Sequence, residues 1–156
     1  MSTLAHTLHA VLAGTWLGGV AFTTFVVSPA LQAMGGAGAE RVLVRFRLGK
    51  QYAKVGGANL ALLAVFAPFD GIFGGFGAHL YAEYALLAGV AGLVAGHGAY
   101  FGKRLAALAA AEQNAPDADT AASFARRRRS LQKLSLRASR LDLLLSAAVA
   151  VLAVNA

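Results

Sequence analysis

Histidine and acidic residues cluster near one end of several apolar stretches of this chain. His6 and His9 lie three residues apart and His79 and Glu83 lie four apart, so each pair falls on one face of a helix. Asp70 ends another apolar stretch. Imidazole and carboxylate groups together suit divalent transition metals such as copper or zinc. We therefore expect these five residues to form a site for a metal ion or a small solute; the alternative is that they only contact interfacial water and lipid headgroups.

A second group of polar residues lies toward the other end of the same stretches. Asp142 falls in an apolar segment where an unpaired carboxylate is costly, so an ion pair with Lys54 or Arg140 is expected, with a role toward a substrate or proton as the alternative. His97 is a candidate haem ligand, with a hydrogen bond to a neighbouring helix as the alternative role. No hydrolytic triad, phosphate-binding loop or catalytic carboxylate pair is apparent in the sequence, which favours a binding or transport role over an enzymatic one.

The composition indicates that lipid, rather than water alone, surrounds the elements that position these residues. Of 156 residues, 58% are hydrophobic and only 13% are charged, which is far from the balance of a soluble domain. A helix needs about 20 apolar residues to cross a hydrocarbon layer about 30 Å thick. Four segments meet or approach this length, at about 4–34, 52–69, 80–101 and 136–156. We predict one all-α domain over residues 1–156, an integral membrane four-helix bundle with antiparallel, up-and-down helices.

The basic residues are confined to two of the three connections between these spans. Every Lys and Arg lies within 41–54 or 103–140, and the connection at 70–79 has none. Because cytoplasmic loops retain Lys and Arg, we expect both termini on the non-cytoplasmic side (N-out and C-out) of a bacterial inner (plasma) membrane that the chain crosses several times. The arginine run at 126–129 is expected to attract anionic lipid headgroups. This confinement does not favour nucleic acid as a partner.

Small residues recur at four-residue spacing in the first and third spans. In lipid, such residues let helix backbones approach closely. We expect them at helix contacts within the bundle, with contacts in a homo-oligomer as the alternative. The positions are Ala10, Gly14 and Gly18 in the first span and Ala85, Gly89, Gly92 and Gly96 in the third. Asp117, Asp119 and Thr120 are candidate caps for the helix that leads into the last span.

The first span carries a pattern that resembles a known family. His9 is followed after six residues by Trp16-Leu-Gly-Gly19, then by Phe22, Phe25 and Val26-Val-Ser-Pro29-Ala-Leu; Ala39-Glu-Arg-Val-Leu-Val-Arg-Phe46 and Tyr52 continue the pattern. This resembles the small membrane family that includes transmembrane protein 205, known as domain of unknown function 4149. The first-helix element is also similar to copper-resistance D-type membrane domains and to four-helix membrane protoporphyrinogen oxidases, which bind haem. The resemblance implies that His9 and Trp16 lie at a cofactor or ligand site, and His97 is a further candidate for cofactor binding.

Three hypotheses of function follow from the sequence. The first is a membrane protein that binds or moves a small solute or a copper-type metal ion through an outer-facing site of histidine and acidic residues. The second is a membrane oxidoreductase that binds b-type haem through His9, related to protoporphyrinogen oxidase. The third is a non-catalytic membrane subunit or scaffold.

Overall fold

The computed structural model describes residues 2–33 and 38–155, and these residues are helical almost throughout. The helices are α1 (Ser2–Phe22), α2 (Ser28–Ala33), α3 (Gly38–Gly74), α4 (Ala78–Gly96), α5 (Lys103–Gln113) and α6 (Ala118–Asn155). A π-helical turn at Thr23–Val27 joins α1 to α2, and another at His97–Gly102 joins α4 to α5. Within the described residues there is no strand, so the all-α prediction is confirmed.

Four helical segments are long and apolar enough to cross a membrane. They are Thr3–Leu31, Gly38–Phe73, Ala78–Gln113 and Ala118–Asn155. The predicted spans fall within these segments or run a few residues past them; residues 34 and 156 lie outside the described part of the chain. At about 1.5 Å per residue, a helix of 36 residues is about 54 Å long, whereas the hydrocarbon layer is about 30 Å thick. The last three segments therefore extend well beyond the layer that each can cross.

The outer surface of the bundle is apolar. Val11, Phe25, Val55, Ile72 and Leu144 are each more than half exposed. A soluble monomer rarely exposes so much contiguous apolar surface. This distribution is typical of helices whose outer faces contact lipid.

The interior of the bundle is a core of apolar side chains from four helices. Trp16 of α1, Leu63 of α3, Val90 of α4 and Val149 of α6 belong to one buried cluster. The largest helix contacts are those of α1 with α3 and α6, and of α4 with α6. The helices therefore enclose an interior in which any polar side chain is removed from both lipid and water.

A second, smaller core lies where the basic residues are found. Ala39 and Val42 of α3 pack with Ala109 of α5. Arg128 of α6 donates a hydrogen bond from Nε to Glu112 Oε2 of α5 at 2.6 Å. These contacts hold the beginning of α3, all of α5 and the first half of α6 together. We call residues 38–54 and 103–140 the basic end, because they contain every Lys and Arg of the chain.

A glycine marks the end of α3, and a capping residue marks the start of α6. Gly75 adopts a φ of +98°, and its N–H donates to the carbonyl oxygen of Gly71 at 2.8 Å, which closes the end of α3. At the start of α6, the N–H of Thr120 donates to Asp117 Oδ1 at 2.7 Å, so the prediction of a cap at Asp117 is confirmed. The hydrogen bonds from the backbone and side chain of Thr120 lower the pKa of Asp117 from its ordinary value.

Two glycines that the spacing indicated in the first span do not lie at helix contacts. Gly14 and Gly18 are exposed, and a Cβ atom at either position would meet no heavy atom within 4 Å, so the prediction that they pack inside the bundle is wrong. Gly19 is the close contact on α1, because a Cβ there would collide with the hydroxyl of Tyr52 on α3. The same ring lies against Gly56, where a Cβ would be 3.1 Å from Cε1 of Tyr52. One tyrosine thus fills the space that two glycines leave.

Candidate functional site

The interior of the bundle contains a buried pair of ionisable side chains. His9 Nε2 of α1 lies 2.5 Å from Glu83 Oε1 of α4, and both residues are 0% exposed. The other two polar atoms, Nδ1 of His9 and Oε2 of Glu83, are also buried and have no hydrogen-bond partner among the described residues. Each unpartnered buried atom costs about 1–3 kcal/mol. The pair therefore offers one nitrogen and one oxygen that a ligand could satisfy.

The structure brings together two of the five residues expected to form a metal or solute site. His6 lies one helical turn before His9 and is half-buried, whereas His79 is exposed and does not join Glu83 in the interior. The side chain of Asp70 lies outside the described part of the structure. Among the described residues, no group of three or more His, Asp and Glu side chains is arranged to hold a metal ion. The site is thus the His9–Glu83 pair.

Further hydrogen bonds join the helices next to this pair. Asn59 of α3 donates from Nδ2 to the backbone carbonyl of Leu12 at 3.1 Å, which is one turn from His9 along α1. One turn further, Trp16 donates from Nε1 to Ser146 Oγ of α6 at 2.9 Å. Trp16 is 3% exposed and Ser146 is 0% exposed, so this bond is removed from solvent. The predicted site residue Trp16 therefore connects α1 to α6 in the middle of the bundle.

Two more polar residues continue the series toward the basic end. Tyr52 packs on Gly19, about 15 Å along α1 from His9. Asp142 lies four residues before Ser146 on the same face of α6. We call His9, Glu83, Asn59, Trp16, Ser146, Tyr52 and Asp142 the polar column. The polar groups of this column follow one another along the bundle, from the His9–Glu83 pair toward the basic end.

The ion pair expected for Asp142 is not formed. Lys54 and Arg140 are both exposed, and within the described part of the chain Asp142 Oδ1 is buried without a hydrogen-bond partner. Each of these long cationic side chains can keep its charge in water while its stem lies against apolar surface. Asp142 therefore resembles the His9–Glu83 pair in having a buried oxygen that no protein group satisfies.

His97 lies far from His9, so the two do not form a shared haem site. The hydroxyl of Ser135 lies 3.3 Å from His97 Nε2, which matches the alternative role of a hydrogen bond to a neighbouring helix. Glu83, which contacts His9, precedes His97 by 14 residues on one continuous helix, which is about 21 Å. Metal–nitrogen bonds are about 2 Å long, so these histidines cannot ligate one iron. His9 Nε2 is engaged by Glu83, and an iron bound there would require Glu83 to move.

The sequence only weakly indicates that two serines contact predicted site residues. Ser146 accepts the hydrogen bond of Trp16, and Ser135 contacts His97. Serine is common in membrane helices, and its presence alone predicts no contact. For Ser146 the available signal was its position in the uncharged part of the last span, where a hydroxyl needs an interhelical or backbone partner.

The charges around the His9–Glu83 pair are of one kind. The helices that hold the pair, α1 and α4, contain no Lys or Arg, and neither do residues 55–74 of α3 or 141–155 of α6. An anionic ligand at the pair would therefore meet a carboxylate and no fixed positive charge. A cation, in contrast, gains from the carboxylate and from the imidazole nitrogen lone pair. The site is thus suited chemically to a small cation.

No protein-family model matches this chain, and neither the curated proteins nor the solved structures contain a match to it. The resemblance of the first span to the transmembrane protein 205 family therefore stays a prediction from the residues that carry it.

Proposed function

We propose that this protein is a membrane protein that binds a small cation, with divalent copper or zinc as the first candidates, and moves it across the bilayer. The binding site is the His9–Glu83 pair inside the bundle. The observation that carries this proposal is the pair's two unpartnered atoms, His9 Nδ1 and Glu83 Oε2, in a half of the chain without Lys or Arg. A transition-metal ion could complete its coordination with water or with groups of the entering solute.

Movement across the bilayer, rather than binding alone, is supported by the polar column. Hydrogen bonds between helices are ordinary packing contacts in lipid, but buried ionisable groups such as Glu83 and Asp142 are costly there and commonly mark the path of an ion. Here the column continues from the pair through Asn59 and Trp16 to Tyr52 and Asp142. Its last acidic group, Asp142, again has a buried oxygen without a partner. A cation that leaves the pair would therefore find a second carboxylate before it reaches the basic end.

Metal binding to the purified protein in detergent tests this function. We expect copper or zinc to bind at one ion per chain, and Glu83→Gln to weaken binding by at least about 100-fold, because changes in outer-shell groups alone cost 10–100-fold. His79→Ala is the matched control, since it removes an exposed imidazole one turn from Glu83 and should leave binding unchanged. Circular dichroism of each variant verifies that it is folded. Equal metal affinity of wild type and Glu83→Gln would refute the site.

Transport is tested separately with the protein in vesicles that enclose a metal-sensitive dye. Uptake should be fast with the wild-type protein and with His79→Ala, and it should fall to the rate of protein-free vesicles with Glu83→Gln. Metal binding without any uptake would limit the function to binding. No binding of either metal would favour the scaffold hypothesis, particularly if another protein co-purifies.

We also propose an arrangement in the membrane that the charges support. The helices alternate in direction as an antiparallel bundle, the basic end faces the cytoplasm, and both termini face the opposite side of a bacterial inner membrane. The concentration of all Lys and Arg at the basic end supports this orientation. The absence of cysteine from the chain allows single cysteines to be labelled without background. Asn155→Cys should react with an impermeant reagent in intact cells and Asn114→Cys should not; the reverse pattern would overturn the orientation.

A further inference from the structure

A groove at the basic end has the layout of a phospholipid site. It lies between α5 and α6, and its volume is about 920 Å³. Its lining includes Arg104 of α5 and Lys133 and Arg137 of α6, together with leucines from both helices. Arg127 lines the groove as well, but it is ten residues from Arg137, or about 15 Å along α6. The groove therefore has three cations at one end and a fourth at the other.

The cations of the groove have no acidic partners. In the described part of the structure, Arg127, Lys133 and Arg137 form no ion pair. The nearest carboxylate in sequence on α5, that of Glu112, is bound by Arg128 at 2.6 Å. Positive groups that share a groove repel one another, and an anion between them relieves that repulsion. The groove is thus complementary to a negatively charged ligand.

Apolar surface continues from the cluster of three cations along α6. Leu134, Leu141 and Leu144 follow at spacings of seven and three residues, so they share one face of the helix with Arg137. Leu134 is 51% exposed, Leu141 is 48% exposed and Leu144 is 68% exposed. From Leu141 onward α6 carries no further basic residue and is the apolar part of the helix. The face therefore changes from cationic to apolar in the direction of the bilayer.

We propose that this groove binds an anionic phospholipid at a specific site. The phosphate lies between Arg104, Lys133 and Arg137, and the acyl chains follow Leu141 and Leu144 toward the bilayer. The apolar half of the face distinguishes a lipid from a soluble phosphate, which would gain nothing from the exposed leucines. Basic pockets between helices at the membrane boundary are a known means of binding lipid headgroups. This inference does not depend on the metal-binding function proposed above.

Native mass spectrometry of the protein in nonionic detergent tests the site, because generic attraction to an anionic membrane surface is absent there. The probe is phosphatidylglycerol, with phosphatidylcholine as the neutral comparison. We expect one bound phosphatidylglycerol per chain. The double variant Lys133→Gln/Arg137→Gln should bind it about 30-fold more weakly, which corresponds to about 1 kcal/mol for each basic residue.

The matched control removes two cations from the same arginine-rich helix but outside the groove. Arg126→Gln/Arg129→Gln has the same net charge as the groove variant, and we expect it to bind phosphatidylglycerol as the wild type does. Equal losses in the two double variants would overturn the proposal, since they would show attraction to the charged segment as a whole. Displacement of the lipid by equimolar inorganic phosphate would also overturn it, because the site would then recognise phosphate without the acyl chains. Circular dichroism of both variants shows whether α5 and α6 remain folded.

Discussion

Replacement of His9 or Glu83 alone by an apolar residue should cost far more stability than replacement of both together. The single variants are His9→Leu and Glu83→Met, and the double variant combines them. Each single change leaves the other polar side chain buried without its partner at 2.5 Å. Removal of one partner from a buried, hydrogen-bonded pair that includes a charged group costs about 3–5 kcal/mol. Both single variants should therefore be strongly destabilised.

The double variant should recover most of this stability. It loses one charge-assisted hydrogen bond, worth about 1.5–3 kcal/mol, but it also removes the unpartnered atoms His9 Nδ1 and Glu83 Oε2, which cost about 1–3 kcal/mol each. The net change ranges from about 1 kcal/mol of destabilisation to about 4 kcal/mol of stabilisation. The coupling energy of the two substitutions is then at least about 5 kcal/mol. This exceeds the largest couplings measured for ordinary hydrogen bonds between membrane helices, about 1.7 kcal/mol.

The free energy of unfolding can be measured by titration of the protein in mixed micelles with a denaturing detergent. The fluorescence of Trp16, the only tryptophan, reports the contact between α1 and α6, and circular dichroism reports helix content. His79→Leu is the control and should change stability by less than about 0.5 kcal/mol, because that side chain is exposed. A coupling energy below about 2 kcal/mol would refute the reasoning, because the pair would then behave as an ordinary interhelical hydrogen bond.

Three further substitutions test other parts of the structure. Trp16→Phe and Ser146→Ala, combined in a double-mutant cycle monitored by circular dichroism, should show a coupling of about 1 kcal/mol from their buried hydrogen bond. Gly19→Ala should destabilise the protein by about 1–3 kcal/mol, measured by the same unfolding titration, because its methyl group displaces the hydroxyl of Tyr52. The cap of α6 depends on the ionised form of Asp117, whose lowered pKa keeps its stabilisation complete above the ordinary value of 3.8 and removes it as the pH falls further. Protection from hydrogen exchange at the start of α6, measured relative to the intrinsic exchange rate at each pH, should fall over that acidic range, and this fall should be absent in Asp117→Asn.

Each of these predictions has a direct control. Gly14→Ala adds the same methyl group on the same helix at an open position, so it should leave stability within about 0.5 kcal/mol of the wild type; an equal loss for both glycines would contradict the packing of Tyr52. Additive effects in the cycle of Trp16 and Ser146 would show that their contact contributes no specific energy. Constant protection from hydrogen exchange at the start of α6 across that acidic range in the wild type would exclude the carboxylate cap.

The sequence predicts the helices well because their length and apolar character are local properties. Each predicted span corresponds to a helical segment, and the cap at Asp117 follows from a local hydrogen bond. Which residues face one another is not local. Four-residue spacing correctly places His79 and Glu83 on one helix, but it does not reveal that Glu83 faces the interior of the bundle while His79 is exposed.

The same limitation explains the error with the glycines. Gly14, Gly18 and Gly19 lie within six residues of one another on α1, yet only Gly19 faces Tyr52 on α3. The rotation of a helix about its axis depends on the large side chains of its neighbours, here the tyrosine ring. His9 was a candidate from its type and from the family resemblance, but its contact with Glu83 required the packing of α1 against α4.

The cationic groove and the acidic pair, for which we propose ligands of opposite charge, lie far apart in the bundle. Glu83 and Arg104 are 21 residues apart on one continuous helix, which is about 31 Å. At that distance and an effective dielectric constant of about 20, one cation raises the energy of another by about 0.5 kcal/mol, compared with about 4 kcal/mol at 4 Å. Arg104, Lys133 and Arg137 are exposed, so salt reduces even this small effect, since it screens charges over about 10 Å. A positive charge within the polar column, close to His9 and Glu83, would therefore oppose cation binding there. The same charge in the groove has little effect on that pair and lies where we propose that a lipid binds.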